Sequence, residues 1–524
     1  MRRAPPLAVL LLSVVAALPA AAPAADRGIG EDRATRIADR DEKVLEQRHA
    51  HGSLQSSAAL VEGAWEVSYL DRGDRVALVR VDPVTGEVRE SWTGYQVDWK
   101  MARGHSGAFG HRLNAPYVFL PLCVLFLIGL VDWRRPWRIA NLDLLVLLAF
   151  GISHWLFNQA EIGLSVPLQY PVLLYLMARC LWIGLRGTGA GLRPVWPTAW
   201  LAIAALFLVG FRVGLNVSDS GVIDVGYASV VGADLIAHGE SLYGNFPEAV
   251  SHGDTYGPVT YLAYLIPEAI WPWGGSWDDL PAAHGASVAF DLATIALLAL
   301  LGTRLRAGGE GRRLAAILCF GWAAYPYTAF VLESNSNDAL VAALLVATLL
   351  VVATPAARGA LLALAALAKF APLLLVPLLA RAPAGGRSAR AAGAFLAGLT
   401  ATTLLMMLWP AIDPGLSTFF ERTVGYQGER DSPFSVWGQA PSLEPLRTGL
   451  LLALLALSLL LALRPRHPTP VQLAALGAAL LIGAQLTAMH WFYLYIVWFY
   501  PLLLVAFAVS GPGAPSSGRV RGSS

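Results

Sequence analysis

Residues 198–244 read TAWLAIAALFLVGFRVGLNVSDSGVIDVGYASVVGADLIAHGESLYG. An apolar run over about 198–214 leads into a segment holding Asp219, Asp224, Asp234 and Glu240. From Arg212 to Arg304 no other lysine or arginine occurs, while Glu248, Asp254, Glu268, Asp278, Asp279 and Asp291 extend the acidic series. Loops retained in the cytoplasm collect Lys and Arg, so this reads as a spanning helix followed by a long exported loop. Within the loop, Val259–Trp273 is too short and too interrupted by Pro267 and Pro272 to span, and reads as a helix lying in the interface.

The rest of the chain agrees with a membrane setting. Of its 524 residues 56% are hydrophobic and only 14% charged, with a mean hydropathy of +0.54, whereas soluble domains carry about 25% charged residues. A soluble globular protein is excluded. The net charge of +2 gives no bulk attraction to nucleic acid. Lysine occurs only at Lys43, Lys100 and Lys369; Cys123, Cys180 and Cys319 lack the spacing of a zinc site or disulfide framework.

Upstream, apolar runs at about 114–131, 142–157 and 170–185 are separated by Arg134-Arg135-Pro-Trp-Arg138, by non-basic residues from Asn158, and by a stretch with Arg186 and Arg193. Downstream runs lie at about 286–303, 314–331, 338–354, 391–409, 447–463, 471–488 and 492–509. Arginine alternation is kept if residues 359–380, flanked by Arg358 and Arg381, enter and leave on the cytoplasmic side. Lys369-Phe-Ala-Pro372 then forms the tip of a broken helical hairpin, because proline disfavours helix at the residue before it. Each arm climbs roughly 16 Å at about 1.5 Å per residue. The expected fold is an all-α polytopic membrane protein of about eleven spans plus this hairpin, with a small α+β domain at its amino end.

That domain covers 26–110 and is expected outside the cell. Residues 1–25 have the basic start, apolar centre and small-residue site of a cleaved signal peptide. In the domain, Trp65-Glu-Val-Ser-Tyr-Leu70 and Arg75-Val-Ala-Leu-Val-Arg-Val81 alternate as strands, and Asp82-Pro83-Val84-Thr85-Gly86 makes a turn before Glu87-Val88. The hairpin resembles those of the PepSY class of extracytoplasmic domains, an accessory or interaction module. Three transmembrane helices then occupy 111–197, a larger transmembrane domain 198–510, and a disordered cytoplasmic tail 511–524.

In the exported loop Asp224, Tyr227, Val231, Asp234 and His238 share one helical face, and Gly239 suits the end of that helix. Asp-x-x-Tyr, then a helix ending His238-Gly-Glu-Ser-Leu-Tyr243, then Thr255-Tyr256-Gly257-Pro258-Val-Thr-Tyr261, resembles the first extracytoplasmic loop of GT-C glycosyltransferases. Those enzymes take a sugar from a polyprenyl-phosphate carrier. The likeness is greatest to bacterial family 87 mannosyltransferases, although Tyr-Gly-Pro stands where Tyr-Pro-Pro is common. It extends to Glu333-Ser-Asn335-Ser-Asn337-Asp338, to the Lys369 break, and to the late loop from Arg422 through Tyr426 and Arg430 to Trp437.

The resemblance implies an inverting transfer of mannose from a polyprenyl-phosphate donor to an extracytoplasmic glycan or lipid acceptor, at the plasma membrane, with neither metal nor other cofactor. Arabinofuranosyl transfer from an analogous donor is the alternative within this class, and a lipid or solute transporter the alternative outside it. Such a transfer needs a base for the acceptor hydroxyl and cations for the departing phosphate. Asp224 is the expected base, carried over from the family's loop aspartate, with Asp219 and Asp254 as alternatives. Tyr227, Tyr256, Glu333, Asn335, Asn337, Asp338, Lys369, Arg422, Arg430 and His490 are the expected substrate-binding residues. A lysine in the membrane costs at least about 2.5 kcal/mol without a partner, so Lys369 either binds the carrier phosphate or pairs with Glu333 or Asp338. The aromatics Trp491 to Tyr495 read as interface anchors.

Overall fold

The computed structural model describes residues 28–104, 110–187, 191–278, 280–381, 389–430 and 432–509. The expected signal segment and the tail from 511 lie outside the described residues. The chain divides into two compact units, Met1–Arg103 and Gly104–Ser524.

The first unit has helices α1 (Glu31–Ala38) and α2 (Glu42–His51) and strands β1 (Gln55–Val61), β2 (Ala64–Asp71), β3 (Asp74–Val81) and β4 (Val88–Thr93). The strands form an antiparallel meander in the order β1-β2-β3-β4, with Trp65 opposite Val81 and Tyr69 opposite Ala77. Alternation sends Val67, Tyr69, Ala77, Val79 and Val81 into one core with Ala34, Ala38 and Val44 of the helices. The expected β3–β4 turn is present: Asp82 accepts hydrogen bonds from the amides of Val84 and Thr85 at 2.7 and 2.8 Å. β1 was not anticipated, because Gln55-Ser-Ser-Ala58 lacks the β-branched alternation that marks a strand.

The second unit is helical. Its elements are α3 (Pro116–Leu130), α4 (Ile139–Asn158), α5 (Ile162–Arg186), α6 (Thr198–Ser218), α7 (Asp224–Ala237), α8 (Pro281–Leu305), α9 (Gly308–Ala324) and α10 (Pro326–Glu333). They continue with α11 (Asp338–Leu350), α12 (Pro355–Ala368), α13 (Ala371–Ala380), α14 (Ala389–Pro410), α15 (Glu444–Leu463), α16 (Pro470–Thr487) and α17 (Ile496–Ala508). Among the described residues seven helices are long and apolar enough to cross a membrane, or eight if the α9–α10 pair, bent by 57°, is one span. The runs at α3, α11, α12, α13 and α17 are shorter apolar helices. Helix α14 continues helically to Gly428, with a bend where Asp413 adopts an extended conformation.

Helices α12 and α14 cross closely through two glycines. A Cβ on Gly359 would lie 2.0 Å from the Phe395 carbonyl oxygen, and one on Gly398 would lie 2.1 Å from that of Ala356. Small residues at such crossings are how apolar helices bring their backbones together.

The expected break at Lys369 is present, two residues earlier than the residue preceding Pro372: α12 ends at Ala368 and Lys369 itself is extended. Helix α7 begins at Asp224 as expected, and Gly239 beyond its end has φ +71°. Its expected polar face is not uniform. Tyr227 and Val231 are buried with Val230, Ala233, Tyr261 and Tyr264, so only the two ends, Asp224 and His238, stay exposed. The helix is apolar on most sides and is accordingly enclosed. The segment expected to form one interfacial helix, Val259–Trp273, is two short helices, Pro258–Leu262 and Leu265–Ile270, both packed on α7.

Candidate active site

The three loop aspartates have different surroundings. Asp219 is 2.6 Å from Arg112 Nε and 3.5 Å from His111 Nδ1. Asp254 is fully buried: one carboxylate oxygen accepts from Arg422 Nε at 2.6 Å and from the Gly244 amide at 2.7 Å. Arg422 also donates to the Ser251 carbonyl at 2.7 Å, so this pair ties the helical segment after α14 to the loop after α7. Asp224 has no ion-pair partner within 4 Å among the described residues. Its carboxylate accepts from the Val225 amide at 2.8 Å and is otherwise open to solvent.

Surrounding protein raises the Asp224 carboxyl above the usual carboxylate range; the Val225 amide, Arg430 and Lys369 oppose the rise, and Asp338 adds to it. Asp224 thus lies within electrostatic reach of residues from three distant parts of the chain.

The buried ammonium of Lys369 is held by two unlike neighbours. Lys369 is 5% exposed; its Nζ sits 3.5 Å from the centre of the Tyr256 ring and 3.8 Å from Asp338 Oδ1. A cation over an aromatic face is stabilised by the ring quadrupole. Asp338 also accepts from Trp498 Nε1 at 2.8 Å and from the Ser336 hydroxyl. The backbone is fixed alongside, where Thr260 donates to the Ala368 carbonyl at 2.8 Å. The alternative pairing of Lys369 with Glu333 is not made.

Arg430 and His490 form the other side. Arg430 Nη2 is 3.4 Å from His490 Nε2, and His490 Nδ1 is 2.8 Å from Ser432 Oγ. Because arginine only donates, Nε2 is the accepting nitrogen and Nδ1 carries the proton. Burial, reinforced by Arg430 and Lys369, holds the imidazole well below its usual pKa, so it is neutral. Arg430 and His490 border a cavity of about 310 Å³ that is also lined by Leu374 and by Arg447, Leu451, Leu454 and Leu455 of α15. The lining therefore combines polar and cationic groups with leucine side chains.

The remaining candidates lie elsewhere. Tyr227 is buried and stacks on Trp277 with ring centres 4.5 Å apart. Asn335, at φ +48°, donates to Ser220 Oγ and the Gly221 carbonyl, and accepts from Asn216. Asn337 donates to Ser229 Oγ at 2.9 Å. Two backbone bonds, from Gly221 to the Glu333 carbonyl and from Ile223 to that of Ser334, complete the clamp. The 333–337 loop therefore positions the start of α7, and its asparagines serve Asp224 by orienting its helix. Glu333 is buried near Arg212 and Asp291, which pair at 3.0 Å in a separate polar cluster.

Tyr495 and Trp498 were not anticipated as neighbours of the site. They stack at 4.3 Å beside Asp338. The reading of Trp491 to Tyr495 as interface anchors is corrected: Trp491, Phe492 and Tyr493 are buried, and Tyr493 stacks on His154 and Tyr327. The sequence signal was the density of aromatics right after His490, which marks burial as readily as an interface. The chain matches no family model and no curated protein.

Proposed function

We propose that this chain is a membrane-embedded glycosyltransferase that moves a sugar, mannose in the first instance, from a polyprenyl-phosphate carrier to an extracytoplasmic hydroxyl. The observation that supports this best is the contrast among the aspartates. Asp219 and Asp254 are spent in ion pairs, whereas Asp224 keeps a carboxylate without an ion-pair partner among the described residues, within electrostatic reach of Lys369 and Arg430.

In the proposed reaction Asp224 takes the proton of the acceptor hydroxyl as its oxygen bonds to the anomeric carbon. The bond from that carbon to the phosphate oxygen breaks on the opposite face, which inverts the configuration. Its electron pair leaves with the carrier phosphate, whose charge Lys369 and Arg430 stabilise. The raised pKa of Asp224 makes it a stronger base than an exposed carboxylate. A cavity lined by both Arg430 and several leucines suits an amphiphile with a phosphate head and an isoprenoid chain.

The reading also carries an orientation. Eleven crossings with a re-entrant hairpin at Lys369 would put the loops near 135, 190, 308, 385 and 465 in the cytoplasm. The loops near 245 and 428, and the amino-terminal PepSY-like domain as an accessory module, would then lie outside. The plasma membrane is the proposed location. Cysteine-accessibility labelling tests this: external labelling at 308 with internal labelling at 245 would reject it.

The decisive assay incubates membranes containing the protein with radiolabelled polyprenyl-phosphate-mannose and, in parallel, the arabinose analogue. Label should pass from the mannosyl lipid into a glycosidic product. Transfer from the arabinosyl lipid alone would reassign the sugar. Movement of labelled lipid across the bilayer with no new glycosidic bond would replace the transferase by a transporter.

A further inference from the structure

A second cavity, of about 590 Å³, shares no residue with the site around Asp224. It is lined by Arg134 and Arg135 from the α3–α4 loop, Arg193 from the α5–α6 loop, Arg306 between α8 and α9, and Arg313 of α9. Two carboxylates, Asp132 and Glu310, share the lining. Five arginines against two acids leave a surplus of three positive charges. Asp132 is already paired with Arg138 at 2.9 Å, outside the lining.

The cavity is built, not an accident of mobile side chains. Arg313 donates to the Pro194 and Trp196 carbonyls at 2.6 and 3.2 Å, which fixes the guanidinium without cancelling its charge. Arg138 donates to the Gly191 carbonyl at 2.8 Å, and the Leu192 amide to that of Phe507 at 3.0 Å. Arg134, Arg135 and Arg193, by contrast, are exposed and have no carboxylate within 4 Å among the described residues.

The remaining lining narrows the ligand. Leu314, Ile317 and Val509 make part of the wall apolar. In the α3–α4 loop that supplies two of the arginines, Trp133 and Trp137 are 53% and 98% exposed. Tryptophan favours the headgroup level of a bilayer. The volume falls within the range of about 300–1,000 Å³ typical of ligand clefts, ample for a phosphodiester headgroup.

We propose that this cavity binds a phosphate-bearing anion, encountered as the headgroup of an anionic phospholipid. Basic pockets between transmembrane helices recognise such headgroups through surplus charge, and arginine forks suit phosphate oxygens. The proposal rests on the membrane setting of these helices and is independent of sugar transfer.

The test uses the full-length protein in detergent micelles, titrated with short-chain phosphatidylglycerol, phosphatidylcholine or inorganic phosphate. Phosphatidylglycerol should bind the unaltered protein more tightly than phosphatidylcholine. Arg134→Gln combined with Arg193→Gln should weaken that binding roughly 25-fold, because each basic side chain at an anionic surface is worth about fivefold. The corresponding double lysine variant should keep most of the affinity. Both positions are exposed, so the thermal midpoint in lipid-free micelles should not change. Inorganic phosphate binding that is lost in the glutamine variant, with no preference between the lipids, would support the anion site and assign it to a soluble phosphate compound. Equal affinity for both lipids with no phosphate binding, or glutamine-variant affinities equal to those of the unaltered protein, would overturn the proposal.

Discussion

Gly257 sits between Tyr256, whose ring lies under the Lys369 ammonium, and the helix that ends just before Lys369. A Cβ there would lie 2.1 Å from the Leu367 carbonyl oxygen and 2.7 Å from its carbon. Both atoms are backbone, so no side chain can swing aside. Reaching even 3.0 Å requires the two segments to part by about 0.9 Å. Gly257→Ala should therefore cost about 1–3 kcal/mol of stability. It should also move the Tyr256 ring relative to Lys369 and Asp338. Misplacement by about 1 Å can cost a hundredfold in rate, so transfer should fall roughly 10- to 100-fold under the proposed activity. The assays are the thermal midpoint in micelles and initial transfer rates from the lipid donor. Gly214→Ala, where a Cβ meets nothing within 4 Å inside α6, serves as the control and should leave the rate unchanged without lowering the midpoint. A Gly257→Ala protein with unaltered midpoint and rate would refute the packing of this loop on α12. The same close approach accounts for the Tyr-Gly-Pro sequence: proline at 257 would bring its own Cβ to the same carbonyl.

Asp224→Asn should lower kcat by about 10² to 10⁴ with little change in stability, because the carboxylate has no ion pair to lose. Asp254→Asn should instead lower stability by about 1–3 kcal/mol through the weakened contact with Arg422, and near-normal transfer in Asp224→Asn beside abolished transfer in Asp219→Asn or Asp254→Asn would move the base elsewhere. In the unaltered protein kcat/KM should fall as pH drops through a pKa above the usual carboxylate range, since the raised Asp224 group acts as a base only when ionised; a limb at an ordinary carboxylate pKa would count against this assignment. Lys369→Met should raise KM for the lipid donor, whereas normal donor affinity with failure to accumulate in the membrane would make the Asp338 pairing purely structural. In the amino-terminal unit, the Val84 and Thr85 amides, with Arg89, hold Asp82 down to about 2, so its stabilisation of the turn should be full above the ordinary value of 3.8 and lost as pH falls through about 2; hydrogen exchange at Val84 and Thr85 should quicken in Asp82→Ala and, over that acidic range, in the unaltered chain.

Local signals were legible in the sequence. The turn at Asp82, the start of α7 at Asp224 and its end at Gly239, and the break at Lys369 each depend on a residue and its near neighbours. What could not be read was which charge meets which. Asp254 finds Arg422 168 residues away, and Asp338 finds Trp498 160 residues away. Nothing in the local pattern separates those aspartates from Asp224. Hydropathy likewise does not distinguish lipid-facing aromatics from buried ones, which is why Trp491 and Tyr493 were read as anchors. Apolar runs also overstate helix length: the run expected over 338–354 is helical only to Leu350, and a Val351–Thr354 turn follows.

The dispersed origin of the residues around Asp224 has a consequence for biogenesis. A nascent chain halted after α13 already carries Asp224, Tyr256, Asp338 and Lys369, yet it lacks Arg430 and His490, which are synthesised about 50 and 110 residues later. Until those segments emerge and fold back, the buried ammonium and its carboxylate neighbours have an unfinished enclosure. Loss of the last helices would therefore take Trp498 from Asp338 and His490 from Arg430.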